Sequence, residues 1–268
     1  MIIDEKSVKK IINEIGVSPS KDYGQNFLIV PSICEKIVNL LNIGDDDNVL
    51  EVGPGLGSLT HYLFLSKGNI DVIDIDINMF TFLNIYYKDK KDHIILDDVR
   101  KIDISKYNKI ISNLPYNITS ELILYFLLYG DNVSSLVLMS ELETSNHFID
   151  VKGKEYGPLS VLIHVLGKIE RKFNVSNTSF YPIPKCKSTV FKIDVINNMD
   201  KEEKIQFYKF VKTLFLLRRK TILNNLVSIL KNKEDALVLL NKSNIEINKR
   251  PEEISPEQYL ILFKNYKN

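Results

Sequence analysis

Asn48-Val49-Leu50-Glu51-Val52-Gly53-Pro54-Gly55-Leu56-Gly57 decides the fold. A short apolar run of strand character ends in three glycines at alternate positions, and helix-forming sequence over 57–66 follows. Alternate glycines let a backbone turn sharply and approach a ligand where a Cβ would clash. The helix behind them would add its free N–H groups. The spacing is G-x-G-x-G, not the G-x-G-x-x-G that cradles a dinucleotide pyrophosphate.

Working outward, apolar runs at 70–75, 93–96, 109–112 and 135–139 read as further strands, with helices at 77–88 and 118–129 between them. The early strands are nearly continuous in Val, Ile and Leu, as expected when helices cover both faces. Residues 168–175 and 189–195 are expected to add antiparallel edge strands. Upstream, 4–15 is helical up to Gly16, and 31–41 is a second helix opened by Pro31. From Lys201 onward the pattern is helical only, at 202–217, 219–231, 233–241 and 256–265. The expected fold class is α/β: a doubly wound, Rossmann-like sheet over 1–198, with a helical arm at 1–30, and a smaller all-helical domain over 199–268. No internal repeat is visible.

Composition excludes several classes. The 268 residues are 44% hydrophobic and 26% charged, which fits a globular chain and neither a disordered nor a fibrous one. No apolar run reaches membrane-spanning length, and Met1 to Lys10 is charged, without a secretory core. Cys34 and Cys186 are too far apart in sequence for a disulfide framework or a metal cluster, and the four histidines have no ligand spacing. A cytoplasmic protein without a bound metal or a membrane partner is expected. Net charge is +1, unevenly spread. Residues 1–200 hold 21 Lys and Arg against 26 Asp and Glu, net −5, while 201–268 hold 14 against 8, net +6. The basic C-terminal quarter points to a polyanion docking there, centred on Arg218, Arg219 and Lys220; a solvated helix face is the plainer alternative.

Two loops carry chemistry. The first is the glycine loop, taken together with acids after the next two strands. Asp74 lies 21 residues beyond Gly53, where an acid accepts both ribose hydroxyls of a nucleoside; Asp76 shares its strand parity, and Asp74 is preferred as the likelier strand end. Asp97 or Asp98 would meet an exocyclic amine. A nucleoside cofactor without a pyrophosphate follows, and S-adenosylmethionine is the candidate. An ordinary βα turn with helix-capping acids is the alternative, and three features in order argue against it.

The second loop is Asn113-Leu114-Pro115-Tyr116. The exocyclic nitrogen of a base is a poor nucleophile because its lone pair is delocalised into the ring. A site can accept hydrogen bonds from both its N–H groups and so draw it toward tetrahedral geometry. The Asn113 side-chain oxygen and the Leu114 carbonyl would be those acceptors, Pro115 stiffens the peptide, and Tyr116 offers a stacking face.

Lys21-Asp22-Tyr23-Gly24-Gln25-Asn26-Phe27-Leu28, the glycine loop and Asn113-Leu114-Pro115-Tyr116-Asn117-Ile118-Thr119 resemble the ribosomal RNA adenine dimethyltransferase family. So do Tyr156 to Val161, Phe180-Tyr181-Pro182-Ile183-Pro184-Lys185, Leu214 to Thr221 and Arg250 to Ser255, and the resemblance is strongest to the members that act on small-subunit rRNA. It implies a class I methyltransferase fold and S-adenosylmethionine held by Asn26, Leu28, Gly53, Gly55, Asp74, Asp98 and Asn113. It implies catalysis by Asn113, Leu114 and Tyr116, with Phe180 against the target base, although Phe180 could equally be a core aromatic before a Pro-rich turn. The implied substrate is a pair of adjacent adenosines in a hairpin near the 3′ end of small-subunit rRNA, met in a pre-ribosomal particle by a monomer. Methylation of large-subunit rRNA, or a role chiefly in assembly or transcription, are the alternatives. Two departures stand out. The family usually has Glu at the position of Asp74, and it carries a Gln-Lys-Glu run where this chain has Ser140-Glu141-Leu142-Glu143.

Overall fold

Runs of Val, Ile and Leu build the sheet of this computed structural model, which describes residues 3–16, 19–20, 24–115, 117–196 and 199–267. The chain opens with α1 (Glu5–Ile15), β1 (Phe27–Leu28) and α2 (Pro31–Asn39). Asp4 and Ser7 cap α1 reciprocally, and Gly16 ends it at φ 62°. Then come β2 (Asn48–Val52), α3 (Thr60–Leu63), β3 (Asn69–Asp74), α4 (Ile77–Tyr86), β4 (Ile94–Leu96), β5 (Lys109–Asn113), α5 (Thr119–Tyr129) and β6 (Ser135–Glu141). They are followed by α6 (Leu142–Ile149), α7 (Pro158–Leu166), β7 (Gly167–Val175), β8 (Phe180–Tyr181) and β9 (Ser188–Val195). The chain closes with α8 (Lys201–Phe215), α9 (Ile222–Leu230), α10 (Lys233–Lys242) and α11 (Pro256–Lys267).

Seven strands form one sheet in the order β4-β3-β2-β5-β6-β9-β7. β2 pairs in parallel with both β3 and β5, β9 pairs antiparallel with β6, and β7 lies at the edge. The chain winds from β2 outward to β4, then returns to the other side of β2 as β5. That reversal opens a crevice at the carboxyl ends of β2 and β5, the usual place for a ligand in a sheet of this kind. Register aligns the loops there: Val52 lies opposite Ile73 on one side and Ser112 on the other, and Asp74 lies opposite Leu96. The segments beginning at Gly53, Ile75, Asp97 and Asn113 therefore leave the sheet side by side. The buried Ser112 hydroxyl donates to the Val52 carbonyl at 2.6 Å and ties β5 to β2 at this end.

The helix after the glycine loop is shorter than the sequence pattern predicts. It begins at Thr60 and lasts four residues. Gly55 and Gly57 sit at φ +55° and +85°, outside the right-handed helical region, so the chain turns through Leu59 before a helix can start.

The chain divides into two compact units, Met1–Thr144 with Glu170–Asp194, and Ser145–Ile169 with Val195–Asn268. This differs from a single boundary at 198/199, because residues 145–169 belong with the C-terminal helices. α7 (PLSVLIHVL) buries Ser160 through Ile163 and Leu166, so it needs cover, and α8 and α11 supply it. Within this unit the Tyr156 hydroxyl donates to the Ile254 carbonyl at 3.0 Å, and Phe215 packs between Tyr156 and Tyr259. Among the described residues no helix is long and apolar enough to cross a membrane.

Candidate cofactor and acceptor site

A cavity of about 300 Å³ opens in the first unit where the β2 and β5 loops part. Its wall includes Asn26, Leu28, Gly53, Gly55, Asp74, Asp97, Asp98, Asn113 and Leu114, so one space gathers the two sequence motifs.

The floor comes from the glycine loop. Gly53 sits at φ +69° with nothing near the place of a Cβ, leaving backbone open to the cavity. At Gly55 a Cβ would meet the Phe27 ring at 3.0 and 3.1 Å, so glycine there is needed for that close approach. The Gly55 amide donates to Asp74 Oδ2 at 3.2 Å, and the Asp76 amide donates to Asp74 Oδ1 at 2.9 Å. The carboxylate, with about four acceptor sites, keeps capacity for a further donor. Burial pushes it up to about 6, with the Asp76, Gly55 and Ile75 amides pulling the other way. Asp76, the alternative of the same parity, is spent on structure: it caps α4 through the Asn78 amide and accepts from Gln25 Nε2 at 2.8 Å. Being short, Asp74 sits back against the loop amides.

Glu51 is a wall residue to which the sequence reading gave no role. It is 1% exposed, and Thr60 Oγ1 donates to its Oε2 at 2.6 Å. Burial, reinforced by the neighbouring Asp74 charge, pushes its carboxyl up to about 8. A buried acid at the mouth of a strand is a signal visible only after folding.

Asp97 and Asp98 both line the cavity beyond β4. Asp98 carries a fork of donors from Arg100, which holds its carboxyl below the usual range. Arg100 is a second wall residue that sequence reasoning passed over.

The acceptor side is held by an exchange between segments 87 residues apart: Asn113 Nδ2 donates to the Asn26 carbonyl at 3.1 Å. Asn26 is steadied in turn by its own Nδ2, which donates to the Gly24 carbonyl at 3.1 Å. The Leu28 carbonyl accepts from buried Ser58 Oγ at 2.7 Å. The Leu114 amide donates to the Met139 carbonyl, continuing the β5–β6 ladder, and Pro115 accepts from Ile118 and Thr119. Tyr116 lies outside the described residues.

Phe180 requires a correction. It is 1% exposed, pairs with Leu28 in the β1–β8 ladder and packs in the apolar core, so it presents no face to the cavity. It is the core aromatic before a Pro-rich turn, and it backs Leu28.

The basic cluster also divides. Arg218 is engaged within its own unit: Nη2 donates to the Gly153 carbonyl at 2.7 Å, Nε lies 3.5 Å from Glu252, and the guanidinium lies over the Phe215 ring. It is a clasp rather than an open cation. Arg219 and Lys220 are exposed. Buried Asn225 donates from Nδ2 to the carbonyls of Thr221 and Leu217 at 3.1 and 3.3 Å, holding the turn that presents them.

A doubly wound sheet with a glycine loop, an acid at the end of the next strand and an amide-bearing loop after β5 around one cavity fits an S-adenosylmethionine-dependent methyltransferase of the Rossmann-like class. The family model for "Ribosomal RNA adenine dimethylase" matches residues 16–268, and the chain belongs to that family. It is 38% identical over 247 residues to "Ribosomal RNA small subunit methyltransferase A" of Malacoplasma penetrans, covering 90% of this chain and 89% of that one. It is 37% identical over 254 residues to the protein of the same name from Flavobacterium johnsoniae, with 92% and 95% covered. The crystal structure of a dimethyladenosine transferase from Plasmodium falciparum superposes with a TM-score of 0.74 at 23% identity, covering 90% of this chain and 97% of that one.

Proposed function

We propose that this chain transfers methyl groups to N6 of two adjacent adenosines in a hairpin near the 3′ end of small-subunit rRNA, working in the cytoplasm as a monomer on a pre-ribosomal particle. The observation that carries the chemistry is the pinned Asn113 amide at the cavity wall, its nitrogen committed to Asn26 and its oxygen left as an acceptor. The small-subunit assignment is supported by the two curated relatives.

The cavity suits the cofactor, with backbone open at Gly53 and spare acceptor capacity on the half-buried Asp74. When bound, S-adenosylmethionine supplies a methyl group activated by its sulfonium. The residues do the rest. Asp74 takes the ribose hydroxyls, Asp98 takes the adenine amine, and Asn26, Leu28, Gly53 and Gly55 shape the channel between. Asn113 Oδ1 and the Leu114 carbonyl accept from the N–H groups of the target amine, two in the first round and one in the second, localising its lone pair toward the methyl donor. The nitrogen gives up one proton to solvent in each round. Tyr116 is the stacking face. Positioning and polarisation drive the step, with no covalent intermediate on the protein. Arg219 and Lys220 meet phosphate, and RNA shape adds recognition that a net charge of +1 does not supply.

Primer extension on both rRNAs from cells lacking the gene tests this reading. Two methyl groups on N6 block Watson–Crick pairing, so extension stops at adjacent adenosines near the 3′ end of the small-subunit rRNA should vanish and return on complementation. Loss of a stop in the large-subunit rRNA instead would overturn the substrate assignment.

A further inference from the structure

Arg100 makes a contact pattern that neither motif explains. Its Nε donates to Asp98 Oδ1 at 2.9 Å and Oδ2 at 3.1 Å, and its Nη2 lies 2.5 Å from Oδ2. Its backbone amide donates to Oδ1 at 3.0 Å. Its other terminal nitrogen, Nη1, is paired with Glu121 in the first turn of α5. Arg100, Asp98, Ile118 and Leu122 all line the cavity. One guanidinium thus joins the acid after β4 to the helix that follows the Asn113 loop.

A carboxylate has about four acceptor sites in its plane. Three Arg100 donors, the amide, the shared Nε and Nη2, take up most of them on Asp98. What remains can accept one more donor, in an orientation set by the fork. A planar fork fixes a carboxylate in a way that a single ammonium does not. Glu121 holds the far end of the guanidinium, so the fork is itself braced.

We propose that Arg100 is the positioning residue for recognition of the cofactor's adenine: it clamps Asp98 so that the one remaining acceptor site meets the exocyclic amine. The inference rests on the reading of Asp98 as the amine's partner and extends it to a residue that does not touch the amine.

The test uses the full-length protein and two probes, S-adenosylhomocysteine and its analogue carrying hydrogen in place of the 6-amino group. A hydrogen bond to a charged group is typically worth about 1.5–3 kcal/mol, so the parent should prefer the amine-bearing probe by about tenfold or more. Arg100→Met should bring that preference to within about threefold, chiefly by weakening the amine-bearing probe. Arg100→Lys, which keeps the charge but loses the fork, should fall between. A merely structural arginine predicts equal weakening of both probes and an unchanged ratio. An unchanged or larger ratio in Arg100→Met overturns the proposal while leaving the Asp98 reading in place. A parent that binds both probes equally removes the Asp98 reading and this inference together. A parent that binds neither removes the cofactor site itself.

Discussion

Asn113 Nδ2 donates to the carbonyl of Asn26 at 3.1 Å, so the side-chain amide of the acceptor loop is oriented by the segment that lies over the cofactor cavity. A carbonyl can only accept, which settles which end of the amide faces it. Oδ1 is the end turned away from Asn26 and, on the proposed function, the acceptor for the target amine. Replacing Asn113 with alanine removes that acceptor and should slow methylation about 10²–10³-fold, by analogy with the loss of a single preorganised polar contact. S-adenosylhomocysteine affinity should change by no more than about threefold. Single-turnover rates alongside calorimetry check both halves; a variant retaining more than half the parent rate would exclude the role.

Glu51 should make stability fall as pH rises. Its folded-state carboxyl stands at about 8, against an ordinary value of 4.5. The folded chain therefore holds a proton that the unfolded chain has released between those values. Stability is fully present below pH 4.5 and is lost progressively up to about 8. Each unit is about 1.4 kcal/mol, so this one group contributes a loss on the order of a few kcal/mol. Glu51→Gln should flatten the decline, and urea melts at pH 5 and pH 8.5 for parent and variant measure the difference. Equal declines would show that Glu51 is not the titrating group.

Gly55→Ala combines two penalties, a left-handed backbone at φ +55° and a Cβ 3.0 Å from the Phe27 ring. The backbone alone costs about 1–2 kcal/mol. Cofactor affinity should drop about tenfold or more, because the loop and the segment over it must separate. Adding Phe27→Leu should restore part of the affinity, since the shorter side chain relieves the overlap but not the backbone strain. Calorimetry on the single and double variants decides; no recovery in the double variant would place the whole effect in the backbone.

The basic cluster should separate under mutation. Arg218→Ala loses its bond to Gly153 and its pairing with Glu252, and should lower stability by about 1–2 kcal/mol while leaving the salt dependence of RNA binding unchanged. Arg219→Ala with Lys220→Ala should leave thermal melting close to the parent and reduce the log–log salt slope by about 0.7–0.9 per lost phosphate contact. Particle affinity at several salt concentrations, measured beside thermal melts, distinguishes them. The opposite pattern would make Arg218 the docking residue.

Much of this was legible in the chain itself. Strand-forming runs at 48–52 and 109–112, glycines at alternate positions and Asn113-Leu114-Pro115 are local signals, because backbone preference and side-chain periodicity act over a few residues. The helices from Lys201 onward were legible for the same reason. Tertiary structure decided the rest. Strand parity leaves Asp74 and Asp76 alike, and it does not reveal that Gln25, across 51 residues, and the Asn78 amide claim Asp76. Phe180 looked available for a base until β1 covered it. Arg218 looked like an open cation until Gly153, 65 residues away, supplied a carbonyl. α7 is an almost wholly apolar run of nine residues, short enough to read as strand or helix, and only α8 and α11 reveal what buries it. Sequence pattern reports what a segment prefers, whereas partnership across the chain depends on which distant surface reaches it first, and packing alone settles that.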